Sequence, residues 1–361
     1  MDWLVPKRRL DRDQTRLLNT ILEDDGNFFL KGCPGTGKSV ILAHLARDYK
    51  ALHPNASVAV LTYTNALVAL LKDGLRGDVS FEIETLNRFI WNQRRRPRHY
   101  ELILVDEVQD MKPEWGDPIV NAADRVALFG DFAQSIYDET ISEPMMLQRF
   151  SPAVEALKTI YRLSVNIKQL IETVFPTFIL NAPVGGLVAN TDIQLAHAPT
   201  YNDEIDYVID KAKKQARVQH PAAVLFETRR QMLSFFHQVT PLPNGTKLDD
   251  DLNKKLREQG LPFRFLGNGF GSFDESDTQP IVYVMTWHSA KGLDFDSVLL
   301  PDITNSMCNT GPLYVAMTRA RRYLLISYSG NGNNLVSTIS ACPSVQRVEV
   351  GEIDDGEEPL F

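Results

Sequence analysis

The sequence predicts an α/β fold of mostly parallel sheets covered by helices, and its 361 residues are enough for two domains. Three observations carry this expectation. Short apolar runs of strand length recur along the chain. Amphipathic stretches of helical period separate several of them. No internal repeat or long low-complexity segment breaks the alternation.

Taken in order, the strand-like runs are Phe28–Leu30, Val58–Leu61, Leu102–Val105, Val126–Phe129, Ala223–Phe226, Ile281–Met285, Ser297–Leu300 and Tyr323–Ser327. Helical periodicity is clearest at Ser39–Tyr49 and Ala66–Lys72. A break is expected near Ser151–Pro152, ahead of the helical-looking Ala153–Leu157. This predicts a first domain over 1–152, a second over 153–345, and an acidic, disordered tail over 346–361. The polar stretches Leu242–Asp251 and Gly267–Asp277 read as loops.

Composition narrows the class. With 43% hydrophobic and 23% charged residues, the chain has ordinary globular composition. No apolar run approaches the roughly 18 residues of a membrane span, and Met1 to Leu10 is too charged for a secretion signal. Cys33, Cys308 and Cys342 have no paired metal-ligand spacing. So sparse and odd a count fits a reducing cytoplasm and argues against a zinc or disulfide framework. The net charge of −8 argues mildly against a nucleic-acid partner, but six of the acids lie between Glu349 and Glu358. Basic clusters stand at Lys7, Arg8, Arg9, Arg12 and Arg16 and at Arg94, Arg95, Arg96 and Arg98. Each reads either as a solvated surface or as a phosphate contact.

Gly32-Cys33-Pro34-Gly35-Thr36-Gly37-Lys38-Ser39 follows an apolar run and precedes a helical one. That is the strand–loop–helix setting of a phosphate loop. Its glycines let backbone N–H groups close around phosphate oxygens, and the following helix adds a favourable dipole. Lys38 is expected on the β- and γ-phosphates of ATP, and the Ser39 hydroxyl on Mg²⁺. The loop alone leaves kinase, ATPase and motor open. Leu102-Ile103-Leu104-Val105 ends in Asp106-Glu107-Val108-Gln109-Asp110. A strand ending in adjacent acids places Asp106 on the metal and Glu107 against an attacking water, which points to hydrolysis rather than transfer to an acceptor.

With these motifs in place, the chain resembles superfamily 1 helicases of the UvrD/Rep-like branch from about residue 10 to 328. Asp106-Glu107-Val108-Gln109-Asp110 has that branch's form. Gln14 resembles its adenine-reading glutamine. Thr62-Tyr63-Thr64-Asn65 resembles its first DNA-contacting motif, and Gly130 to Tyr137, which includes Gln134, its third motif. Tyr161-Arg162 resembles the fourth. Thr286 to Phe295, with His288, Lys291, Gly292 and Asp294, resembles the fifth. Tyr314 to Arg321, with Arg319, resembles the sixth.

The resemblance implies two RecA-like P-loop NTPase domains with an ATP cleft between them. Gln14 would pair with adenine, as an amide suits. Tyr161 would stack on the base. Asp294 would hold the ribose, and Gln134 would sense the γ-phosphate. Arg162 and Arg319 would stabilise charge on the transferring phosphoryl group. Gly32, Pro34, Gly35, Thr36, Gly37 and Gly292 complete the expected nucleotide contacts. Tyr63, Asn65, Thr85, Asn87, Arg88, Thr286 and His288 are the candidates for holding a single DNA strand by stacking and backbone contact. The implied track is DNA and the implied direction 3′ to 5′.

The chain also departs from that pattern. Only about thirty residues separate the first DNA motif from Leu102, and the fifth-motif strand begins soon after Leu261–Leu266, so both usual accessory insertions are missing. Asp138-Glu139-Thr140-Ile141 stands where an aromatic and an arginine usually hold DNA. Ile160 replaces an Asn, and Asn87 a His. The tail Asp354 to Phe361 is similar to the C-terminal peptide of single-stranded DNA-binding proteins, or is a solubilising end.

Three functions therefore stand side by side. The first is a minimal DNA translocase or helicase. The second is an ATPase subunit that senses a DNA strand, end or junction and gates a partner such as a nuclease in anti-phage defence. The third is a non-hydrolysing binding module, against which the complete set of ATP-site residues argues.

Overall fold

The computed structural model describes residues 4–75, 81–132, 139–176, 182–185, 188–243, 245–305 and 310–351. They form two parallel β-sheets with interleaved helices. The first contains β1 (Phe28–Lys31), β2 (Val58–Thr62), β3 (Glu82–Thr85), β4 (Tyr100–Val105), β5 (Ala123–Gly130) and β6 (Ala153–Ala156). Helices α1 (Arg12–Glu23), α2 (Lys38–Leu52), α3 (Asn65–Gly74), α4 (Leu86–Arg95), α5 (Gly116–Val120) and α6 (Glu143–Phe150) lie between or beside these strands. The strand order is β3-β2-β4-β5-β1-β6, and every pairing is parallel.

The second sheet contains β7 (Asp192–Ala198), β8 (Ala222–Phe226), β9 (Phe263–Phe265), β10 (Val282–Thr286), β11 (Phe295–Leu300), β12 (Ala320–Ser329) and β13 (Gln346–Glu349). Its order is β13-β7-β12-β11-β8-β10-β9, again all parallel. Helices α7 (Val165–Val174), α8 (Tyr201–Gln215), α9 (Arg229–Val239), α10 (Asp250–Glu258), α11 (Thr310–Met317) and α12 (Asn334–Ser340) accompany it.

Strand alternation builds a core on both faces of each sheet. Phe28 and Leu30 pack with Val58, Val60, Leu102 and Leu104 on one face of the first sheet. Phe29 packs with Ala59, Leu61, Ile103 and Val105 on the other. In the second sheet, Leu225, Met285, Leu300 and Ile326 face one core, and Val224, Phe226, Val284 and Leu325 the other. Ala66, Leu67 and Leu70 of α3 belong to the first of these two cores, so α3 packs into the second sheet's interior.

Each of the eight expected strands coincides with or overlaps an observed one. Two expectations are corrected. Ala153–Leu157, expected to be helical, contains β6, which pairs with β1 through Phe28↔Ala153 to Lys31↔Ala156. The first sheet therefore continues past the break expected at Ser151–Pro152. Four residues show no decisive periodicity, and the open backbone edge of β1 outweighs a weak helical preference. Similarly, Gln346–Glu349 of the expected tail forms β13 beside β7. Residues 352–361 lie outside the described residues. Among those described, no helix is long and apolar enough to cross a membrane.

Candidate active site

All strands of the first sheet run the same way, so the segments leaving β1, β2, β3 and β4 emerge along one edge. The phosphate loop leaves β1 there, and Asp106-Glu107 leaves β4. Gly35 and Gly37 have φ values of +77° and +93°, which L side chains rarely adopt. A Cβ on Gly35 would also stand 2.9 Å from the Arg162 Cβ, and one on Gly37 2.8 Å from the Gln14 amide nitrogen. The glycines thus supply the turn and the close approach of residues from elsewhere.

A cavity of about 560 Å³ opens at this edge. The first sheet contributes Gln14, Pro34, Gly35, Gly37, Lys38, Ser39 and Glu107, and the second-sheet segments contribute Tyr161, Arg162, Gly292, Asp294 and Arg319. Gly32, Thr36 and Asp106 are not on its wall. Gly32 accepts from Lys38 Nζ at 2.6 Å, and the buried Thr36 hydroxyl donates to Cys33 O at 2.9 Å, so both brace the loop. Gln134 lies outside the described residues, as does Tyr137.

Gln14 is held in place by its own helix cap. Its backbone N–H donates to Asp11 Oδ1 at 2.7 Å, and its side-chain oxygen accepts from the Asp11 N–H at 3.2 Å. Its amide nitrogen donates to Thr36 O at 3.1 Å. One N–H and one lone pair remain, enough for an adenine edge. Tyr161 is 41% exposed, and its backbone N–H donates to Gly35 O at 2.8 Å, which ties the fourth motif to the phosphate loop.

Ser39 Oγ donates to Asp106 Oδ2 at 2.9 Å. A hydroxyl and a carboxylate at this separation form a hard oxygen pair, and Mg²⁺ takes few protein ligands alongside phosphate oxygens. Burial and neighbouring Glu107 push the Asp106 carboxyl up to about 7, against the pull of Ser39 and Lys38. A bound cation reverses such a balance. Burial also pushes Glu107 up, but Lys291, Lys38 and the Gln109 amide outweigh it, leaving its carboxyl below the ordinary range. Glu107 sits in the left-handed region at φ 54°, uncommon for this residue type, and its carboxylate accepts from the Gln109 amide.

Across the cavity, Asp294 faces three arginines. Arg162 forms an ion pair with it, Arg321 stands at 3.4 Å and Arg319 at 3.9 Å. Asp294 Oδ1 accepts no hydrogen bond, and Arg162 Nε and Arg321 Nε have no partner among the described residues. The acceptor suits a sugar hydroxyl and the donors suit phosphate oxygens, so the residues fit a nucleotide with Mg²⁺. Burial pushes the Arg162 guanidinium down to about 10, opposed by Asp294 and assisted by Arg319. Arg319 is only 2% exposed and donates to Val315 O, Leu293 O and Thr318 Oγ1. Its position is therefore rigidly set.

Lys291 and Arg321 join the site without a role that their sequence motifs assign. Lys291 Nζ lies 2.8 and 2.7 Å from the two Asp110 oxygens in a fully buried ion pair. It joins the strand-end acids of the first sheet to the segment after β10. Both residues lie inside motifs already quoted, but nothing in their spacing pairs them.

The candidate strand-binding residues fall into two groups. Tyr63 and Asn65 follow β2, Thr85 ends β3 with Asn87 just after it, and Thr286 ends β10 with His288 two residues beyond. Asn65 and Asn87 are exposed. Tyr63 is half-buried, its phenol pushed up by burial and by Asp110. Thr85 caps α4, accepting from Arg88 N at 3.3 Å, and Thr286 donates to Ser289 Oγ at 2.9 Å. Burial and nearby Lys291 lower the His288 imidazole, favouring its neutral form. The groups approach each other at the turn after β9: a Cβ on Gly269 would stand 3.7 Å from Asn65 Nδ2, and one on Gly267 3.3 Å from Ser289 Oγ.

Residues 14–140 match the family described as AAA domain, and residues 270–331 match the UvrD-like helicase C-terminal domain. Among solved structures, the PRRSV helicase is 15% identical with a TM-score of 0.46, over 87% of this chain and 54% of that one. Arterivirus nonstructural protein 10, a helicase, is 16% identical with a TM-score of 0.46, over 90% and 64%. Its complex with DNA gives 15%, 0.46, 90% and 65%. The chain thus spans between 54% and 65% of the length of these structures. No curated protein matches it.

Proposed function

The chain belongs to the UvrD-like superfamily 1 helicase cores, and from that premise we propose that it is an ATP-driven translocase on single-stranded DNA, moving 3′ to 5′. One observation carries the reading: a single cavity is lined by the phosphate loop, a strand-end acid and arginines drawn from both sheets. A site assembled this way is sensitive to the relative position of the sheets.

In this reading Lys38, the loop backbone and Gln14 bind ATP, and Tyr161 covers the base. Ser39 and Asp106 hold Mg²⁺, which supplies charge neutralisation on the phosphates. Glu107, kept ionised by Lys291 and Lys38, orients and deprotonates the attacking water. Arg162 and Arg319 meet the charge that builds on the phosphoryl group. Asp294 aligns the arginines and offers the ribose its Oδ1, which accepts no hydrogen bond among the described residues. Strand affinity must differ between the open and closed arrangements for hydrolysis to drive motion.

The test is ATP hydrolysis with and without single-stranded DNA at two salt concentrations. Stimulation that fades at high salt is expected. Hydrolysis indifferent to DNA refutes the coupling.

A second reading, a DNA-sensing ATPase that gates a partner such as a nuclease in anti-phage defence, is favoured by one feature. The described residues between β2 and β4 add only α3, β3 and α4, and none forms an accessory domain. Strand displacement by the isolated chain supports the first reading. DNA-stimulated hydrolysis without displacement supports the second.

A further inference from the structure

The chemistry of α4 goes beyond the motif residues at its start. Asn87, Trp91 and Arg95 recur every four residues and so form one stripe along the helix. Trp91 is 53% exposed, and the Arg95 guanidinium lies 3.9 Å from its ring centroid. Beside this stripe, at the outer edge of the first sheet, is a second cavity of about 280 Å³. Glu82, Glu84, Trp91, Arg95, Arg96 and Arg98 line it. Its size is close to the lower end, ~300 Å³, of small-ligand pockets.

Three kinds of group meet here. The first is a flat exposed aromatic with a stacked guanidinium. The second is a pair of exposed arginines, Arg96 and Arg98. The third is a carboxylate with unused acceptor capacity. Glu84 is 7% exposed, and its Oε2 accepts from Asn92 Nδ2 at 3.0 Å, with Arg88 Nε at 3.5 Å. Its Oε1 is buried and accepts from nothing among the described residues. A buried, unpaired carboxylate oxygen is costly and calls for a donor. Glu82 is already engaged, by Tyr100 at 2.7 Å and Arg98 at 3.2 Å.

An acidic peptide would answer the arginines but not Glu84, and a cation would answer Glu84 but not the arginines. A nucleotide answers both, with phosphate on guanidinium and a base stacked on Trp91. Guanine is the base whose Watson–Crick edge offers two adjacent N–H donors to a carboxylate, which accepts only. We propose that this cavity binds an unstacked guanine nucleotide of a single strand, at a site separate from the inter-sheet cleft. The base stacks on Trp91, its edge donates to Glu84, and Arg96 and Arg98 hold the flanking phosphates. The strand reaches it from Asn87, one helical turn earlier. The inference rests on the single-strand reading above.

The test is fluorescence anisotropy of the full chain with labelled homothymidine oligonucleotides carrying one guanine or one adenine, without ATP. Free GMP serves as competitor. Trp91→Ala is expected to weaken binding of the guanine oligonucleotide about 5- to 100-fold, with Trp91→Phe restoring most of it. Glu84→Gln is expected to level guanine with adenine. Wild-type binding and DNA-stimulated hydrolysis that persist unchanged in Trp91→Ala overturn the pocket and leave the proposed motor intact. No strand binding by the wild type overturns both. Free GMP that competes as strongly as the oligonucleotide overturns the strand as the source.

Discussion

The buried ion pair between Lys291 and Asp110 makes the sharpest prediction. Lys291 is 2% exposed and Asp110 fully buried, with both carboxylate oxygens within 2.8 Å of the ammonium. Burial holds the Asp110 carboxyl up at about 7 even though Lys291 pulls it down. Lys291→Met removes the counter-charge and leaves Asp110 in a dry setting. Breaking such a pair on one side costs about 3–5 kcal/mol, whereas replacing both partners is often close to neutral. Urea denaturation should therefore show a loss of about that size at mildly alkaline pH. The loss should shrink on acidification, because Asp110 then takes up a proton and no bare charge remains. Asp110→Asn combined with Lys291→Met should recover most of the loss, a coupling of ~2 kcal/mol or more. Equal stability of Lys291→Met and wild type, or strict additivity in the double variant, would refute the argument. The single variant should also hydrolyse ATP more slowly, since Lys291 helps keep Glu107 ionised.

Lys38→Ala should abolish ATP hydrolysis through loss of phosphate contact, read as phosphate release. Glu107→Gln should bind a fluorescent ATP analogue normally yet turn over roughly 10²-fold more slowly or worse, as loss of a general base implies. Normal turnover would remove Glu107 from its assigned role. Glu204, fully buried against Asp302 N and Ser327 Oγ at 2.7 Å each, has its carboxyl raised above 4.5 by burial. A raised carboxyl favours folding fully below pH 4.5, and that contribution is lost as pH rises through the folded value. Glu204→Gln should therefore flatten the fall of unfolding free energy with rising pH. An unchanged pH profile would show that Glu204 does not titrate differently on folding.

Much of the ATP side was legible in the sequence, because it is written in consecutive residues. Gly35 and Gly37 encode a left-handed turn, Lys38 and Ser39 begin the helix that follows, and Asp106 and Glu107 end a continuous apolar strand. Backbone preference and strand periodicity are local properties, so neighbours in sequence report them. Most central strands were legible for the same reason, being apolar on both faces, but β7, Asp-Ile-Gln-Leu-Ala-His-Ala, was not, because polar residues interrupt its apolar run. Edge strands were not: β3 reads Glu-Ile-Glu-Thr, β6 Ala-Val-Glu-Ala and β13 Gln-Arg-Val-Glu, since an edge needs only half the burial. Only the tertiary structure decided which distant groups meet. Arg162 faces Asp294, Lys291 reaches Asp110, and Leu67 leaves room for no Cβ at Gly292. Such pairings depend on strand order and on how one sheet packs against the other. Those are set by the summed burial of whole faces, which no short run of residues carries by itself.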